Sequence, residues 1–192
     1  MKTKNIFLSI ITLMFFTSTS LFGQFNIRGG LNLAKISSSD KSIELKSNPG
    51  IQLGFGYELD LGSNLSFRPS LLYSQKGAKV SENNMTSNSR TNYLELPMDV
   101  HIRFGDADDN RLGIYAGPYV GFLLSATTDD ANVKDFYKST EYGFNAGLTY
   151  DIYMITVGLN YGAGLSNVAD DTDIGDIEIK NQNLSLIGIF NF

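Results

Sequence analysis

From residue 25 onward, apolar residues fall on every second position through eight successive segments, the period of a strand with two unlike faces. The first sets Phe25, Ile27, Leu31 and Leu33 against Asn26, Arg28 and Asn32. The second alternates Ile51, Leu53, Phe55, Tyr57, Leu59 and Leu61 with Gln52, Glu58 and Asp60, among glycines. The third opposes Leu65, Phe67, Leu71 and Tyr73 to Ser66, Arg68, Ser70 and Ser74. Parity switches in the fourth, where Leu94, Leu96, Met98, Val100, Ile102 and Phe104 oppose Tyr93, Glu95, Asp99, His101 and Arg103. The fifth (112–124), sixth (141–150) and seventh (153–164) carry Gly, Tyr, Asn and Thr on the second face. In the last, Leu184, Leu186, Phe190 and Phe192 alternate with Asn183, Ser185 and Asn191, while Ile187 and Ile189 interrupt the polar face.

Two features choose the environment. The second face is charged in mid-strand, which in a membrane barrel puts apolar residues toward lipid and charges within. The connections also alternate in length. Ser37–Ser47, Gly77–Thr91, Thr127–Thr140 and Asn167–Glu178 read as long polar loops. Gly62–Asn64, Gly105–Asn110 and a corner at Asp151–Ile152 read as short turns. Long outer loops alternating with short periplasmic turns, both chain ends on the short side, is the layout of outer-membrane barrels. The fold expected is all-β: an eight-stranded antiparallel up-and-down transmembrane barrel. Aromatics such as Phe25, Tyr57, Tyr73, Phe104, Tyr142 and Tyr153 lie toward the ends of the outward stripes, where girdles form. A soluble ligand-binding barrel is the alternative environment.

The first 23 residues do not fit the pattern. Lys2 and Lys4 precede an apolar run, Ile6–Phe16, then small polar residues and Gly23. That is a secretory signal layout, too short to span a bilayer comfortably. The expected organisation is a cleaved signal peptide (1–23) and one barrel domain (24–192). Its removal takes two lysines and no acid, so the formal charge of −5 becomes −7. Zero Cys excludes a disulfide framework, a thiolate metal site, a cysteine nucleophile and a lipoprotein anchor. The acidic balance opposes nucleic-acid binding. A mean hydropathy of −0.08 excludes a bundle of transmembrane helices and fits the average of an apolar and a charged face.

Several stretches resemble the porin-family or PorT-like outer-membrane β-barrel domains of Gram-negative bacteria, eight-stranded and of OmpX-like architecture. They are Arg28-Gly-Gly-Leu-Asn-Leu33, Tyr93-Leu-Glu-Leu-Pro97, Gly117–Ala126 and Gly143-Phe-Asn-Ala-Gly147. The resemblance implies an integral outer-membrane barrel in contact with outer-membrane lipid. It implies little about activity. Phe192, closing an alternating segment, resembles the C-terminal signal read by the barrel-assembly machinery.

An eight-stranded barrel is about narrow enough for side chains to fill. Arg28, Glu58, Arg68, Glu95, Asp99, His101 and Arg103, with Lys76, Arg111 and Glu141, are expected to pair within it, since an unpaired buried charge is costly. The function expected is non-enzymatic: a structural or surface-interaction role, with an extracellular partner met through the long loops by a monomer. A narrow passive pore is the alternative. A lipid-modifying enzyme is a weaker one, because His101 shares a stripe with Asp99 and Glu95 and a serine such as Ser70 or Ser74 could lie across from it. The carboxylates of Asp170–Glu178 suit Ca²⁺ chemically but miss the EF-hand spacing. No cofactor, metal or catalytic residue is assigned.

Overall fold

Strand pairing runs neighbour to neighbour along the chain and then closes. A computed structural model describes residues 23–38, 45–82, 85–105, 110–129, 131–168 and 179–192. Its strands are β1 (Gly23–Ser38), β2 (Leu45–Asp60), β3 (Leu65–Glu82), β4 (Met85–Phe104) and β5 (Arg111–Thr128). They continue as β6 (Ala131–Asn132), β7 (Thr140–Ile152), β8 (Ile155–Gly164) and β9 (Ile179–Asn191). Eight long strands pair antiparallel in sequence order, and β1 closes on β9 through registers such as Leu31↔Leu186. The two-residue β6 is a small hairpin on β5. All eight long strands reach the length that a tilted strand needs to cross a bilayer.

The molecule is inside out. Among the described residues ten apolar side chains are buried, against thirty-six large apolar ones exposed. Leu31, Phe55, Leu112 and Leu148 are each more than half exposed, while Asn32, Ser66, His101 and Glu141 are fully buried. Such a belt suits hydrocarbon rather than water. Phe25, Tyr57, Phe104, Phe190 and Phe192 lie toward the end carrying the short turns, the start of β1 and the end of β9, and Tyr73 and Tyr142 toward the other.

Inward glycines make room for tyrosines from the adjoining strand. Tyr115 faces Gly147 and Tyr119 faces Gly143 across β5–β7. A Cβ at either glycine would run into the facing ring. The bare backbone lets each ring lie against the wall and keeps its hydroxyl inside the barrel.

Several expectations change. Gly77–Thr91 is mostly a hairpin, not a loop: β3 and β4 stay paired from Lys76↔Thr91 to Glu82↔Met85. Polar Ser, Thr and Asn satisfy a two-stranded ladder in water without an apolar face, so composition alone misreads them. The corner expected at Asp151–Ile152 lies two residues later, at Tyr153–Met154, flanked by the pair Ile152↔Ile155. Ile187 and Ile189 do not spoil the inner face; they pack on Tyr115 within the lumen. The connection after β5 is ordered by β6 and a 3₁₀ turn at Lys134–Phe136, with Val133 and Tyr137 packed on buried Tyr93, Leu123 and Ala126. The segment expected to be a signal peptide (1–23) lies outside the described residues except for Gly23, which opens β1, and the acidic segment Asp170–Glu178 lies outside them too.

Candidate functional site

Inward side chains of the strands converge in the lumen in three layers. Nearest the short-turn end, the buried Glu58 carboxylate accepts Arg68 Nε at 3.0 Å and Arg68 Nη2 at 2.6 Å, with further bonds from Ser66 Oγ and Arg103 Nη2. Arg103 Nε donates to Asp151 Oδ2 at 2.7 Å, and Arg111 stands 3.9 Å from the same oxygen. Thr156 Oγ1 donates to the other Asp151 oxygen at 2.7 Å. His101 links this layer to the next wall: Nδ1 lies 3.1 Å from Arg68 Nη2 and Nε2 lies 2.8 Å from Thr149 Oγ1. A guanidinium only donates, so Nδ1 accepts and the ring proton is assigned to Nε2, donating to Thr149.

The middle layer is looser. Arg28 Nη1 stands 3.7 Å from Asp99 Oδ2, and Tyr115 OH donates to Asn160 Oδ1 at 2.7 Å. Leu72, Ile187 and Ile189 fill the remaining space. In the third layer Lys76 Nζ sits 2.8 Å from Glu95 Oε1 and 3.1 Å from both Glu141 oxygens. The Tyr93 and Tyr119 rings flank that ammonium, each with its centroid 5.0 Å away. Glu141 also accepts Tyr119 OH at 2.6 Å and Asn181 Nδ2 at 3.0 Å.

Among the described residues five lumen cations (Arg28, Arg68, Lys76, Arg103, Arg111) form ion pairs with five carboxylates (Glu58, Glu95, Asp99, Glu141, Asp151), and a sixth carboxylate, Asp60, stands at the short-turn mouth. Desolvating either set alone would cost several kcal/mol per ion. An internal cavity between the middle and third layers has a volume of about 10 Å³, roughly one water. At the short-turn mouth an open vestibule of about 560 Å³, lined by Gln24, Asp60, Ser63 and Arg111, ends on Glu58 and Arg103.

The structure places all seven expected lumen residues inward and buried. They do not form the single His101–Asp99–Glu95 constellation that the sequence allows. Asp99 pairs with Arg28, Glu95 pairs with Lys76, and both His101 nitrogens are engaged by Arg68 and Thr149. Ser74 Oγ instead meets Asn32 Nδ2 at 3.2 Å. Among the described residues no group of three or more His, Asp or Glu is placed to hold a metal ion. Asp151 escapes the sequence reading because it stands at the expected corner. Carrying the inward parity of Glu141, Asn145 and Thr149 two residues further finds it. Phe192 is exposed, its ring 5.0 Å edge-on from Phe190, and its N–H donates to Phe25 O at 2.9 Å.

Residues 20–170 match a family described as "Outer membrane protein beta-barrel domain". No curated protein matches the chain. Among solved structures, OprG from Pseudomonas aeruginosa is similar with a TM-score of 0.57 at 12% identity, covering 90% of this chain and 97% of that one. Neisserial surface protein A gives 0.54 at 15% identity, covering 88% and 97%. Ail, the attachment invasion locus protein of Yersinia pestis, solved with the heparin analogue sucrose octasulfate, gives 0.51 at 15%, covering 88% and 99%.

Proposed function

Because the chain belongs to the outer-membrane protein β-barrel domain family and sits in the Gram-negative outer membrane, we propose that it is a non-enzymatic barrel that works from its outer surface. The lumen serves as an internal scaffold. The observation that carries this reading is the set of buried ion pairs spread through the three layers of the bore, with a cavity of only about 10 Å³ beside them. A permeation path would need those pairs to part, each leaving a buried charge behind. The extracellular ends of β3 and β4, running to Glu82 and Met85, and the ordered connection after β5 are what the barrel offers to a partner. Support comes from Ail, an attachment invasion locus protein of similar fold solved with a heparin analogue. The engagement of both His101 nitrogens disfavours a lipid-modifying reaction.

Single-channel recording in planar bilayers tests this reading. Silent membranes containing correctly folded protein are expected. Large, stable unitary currents would overturn the scaffold and favour a narrow pore. Unchanged lipid composition in cells carrying His101→Ala is the corresponding expectation against an enzyme.

A further inference from the structure

The three short turns differ in chemistry. Gly62-Ser63-Asn64, between β2 and β3, is polar, and Gly105–Asn110, between β4 and β5, includes three aspartates. Tyr153-Met154, between β7 and β8, is apolar, is flanked by Ile152 and Ile155, and opens a stretch with no charged residue up to position 169. All four of these side chains are exposed. Tyr153 is 94% exposed, the highest fraction among the described large apolar side chains. Its φ is 53°, in the left-handed region that bulky side chains rarely adopt and where hairpin turns favour Gly, Asn or Asp. A strained backbone thus carries a ring that the fold itself leaves bare.

Three observations say what covers it. First, the turn continues the apolar belt. Ile155 is the register partner of Phe190, Phe190 pairs with Ile27, and the Phe192 N–H bonds to Phe25 O, so an exposed apolar rim runs from the turn to the start of β1. Second, the fold supplies partners for the turn's carbonyl. Met154 O accepts the Asn191 N–H at 2.9 Å and Asn191 Nδ2 at 3.4 Å, bonds that hydrocarbon could not replace.

Third, strand length sets the level. Exposed Leu165, just past β8, is followed by polar Ser166 and Asn167 at the extracellular edge. From Leu165 to Ile155 the chain covers about 34 Å at about 3.4 Å per residue. At a strand tilt of about 40° that is about 26 Å of height, against an apolar band about 25 Å tall. The band therefore uses all of β8 and ends at Ile155. Met154 and Tyr153 come next, at the boundary where a ring with a polar tip is most at home.

We propose that the β7–β8 turn is a membrane foot. Tyr153 and Met154 enter the boundary between acyl chains and phospholipid headgroups on the short-turn side, while the two polar turns stand in water. The left-handed residue then holds its ring against lipid rather than against protein. The foot fixes the depth of one sector of the rim. It is separate from the extracellular surface role and holds whether or not the lumen conducts.

The chain has no tryptophan, so a single introduced indole reports on the turn. Tyr153→Trp and, in a polar turn, Ser63→Trp are purified from membranes and reconstituted in phosphatidylcholine vesicles. Tyr153→Trp is expected to emit to the blue of its urea-unfolded form. Lipid brominated near the top of its acyl chains should quench it, and aqueous acrylamide on both faces should not. Ser63→Trp should show the reverse. Met154→Trp repeats the measurement if Tyr153→Trp fails to fold. Quenching of Tyr153→Trp by acrylamide as strongly as Ser63→Trp would place the turn in water. Shielding from both quenchers would place it against protein, a second copy or another chain. Either result overturns the proposal.

Discussion

Replacing Glu58 with alanine probes the lumen where its charges are most tightly coupled. The carboxylate is 4% exposed and receives both Arg68 nitrogens, Arg103 Nη2 and Ser66 Oγ. Without it the layer keeps three cations, with Asp151 the one carboxylate left in an ion pair with them among the described residues and Asp60 out at the exposed mouth. Removing one partner of a buried pair costs about 3–5 kcal/mol, because the other charge stays buried and uncompensated. With a urea slope of about 2 kcal/mol per molar, the unfolding midpoint should fall by roughly 2 M. The chain has no tryptophan, so circular dichroism and the heat-shifted band of unboiled gels are the readouts. Adding Arg68→Ala removes the stranded cation, so the double variant should lose less than the sum of the singles by about 1 kcal/mol or more. A Glu58→Ala midpoint matching the parent's, or strict additivity, would refute the network.

Other perturbations separate wall, belt and loop. Gly147→Val drives a side chain into the Tyr115 ring and should cost about 1–3 kcal/mol. Gly188→Ala, with open space around its Cβ, should leave the midpoint unchanged. Leu148→Arg places a cation on the lipid face and should cost about 2–4 kcal/mol in vesicles if near mid-bilayer; a neutral result would contradict the inverted belt. Asp129 accepts the Asn88 N–H at 2.9 Å and Ser87 Oγ at 2.6 Å, which hold its carboxyl below the ordinary 3.8. That stabilisation is complete above the ordinary value and disappears as pH falls through the lowered one. Amide exchange at Asn88, corrected for intrinsic rate, should accelerate on that descent and stay constant in Asp129→Asn. Deleting Phe192 should lower the amount of barrel assembled in cells while leaving refolding in detergent intact.

The barrel is legible because period-2 alternation survives in nearly every strand, and mid-strand charges such as Arg68 and Asp99 tell which face is inner. Pairing is not. Alternation assigns a residue to a face, whereas its partner depends on register and stagger between strands. Thus Glu95 meets Lys76 rather than its stripe-mate His101, and Glu58 reaches Arg103 two strands away. Strand ends are misread where polar Ser, Thr and Asn continue a ladder into water, as beyond the Gln75↔Asn92 pair. The inward Ile187 and Ile189 look like exceptions only because the tyrosine that covers them, Tyr115, comes from β5.

The filled bore is tested most directly by thiol accessibility, since the chain has no cysteine. Ser63→Cys places a thiol in an exposed turn, and Ser74→Cys places one at a fully buried lumen position. In vesicles open to an aqueous maleimide on both faces, Ser63→Cys should label rapidly and Ser74→Cys only after urea unfolds the barrel. Labelling of folded Ser74→Cys at a rate comparable to Ser63→Cys would mean that water and solutes reach the lumen, contradicting the account.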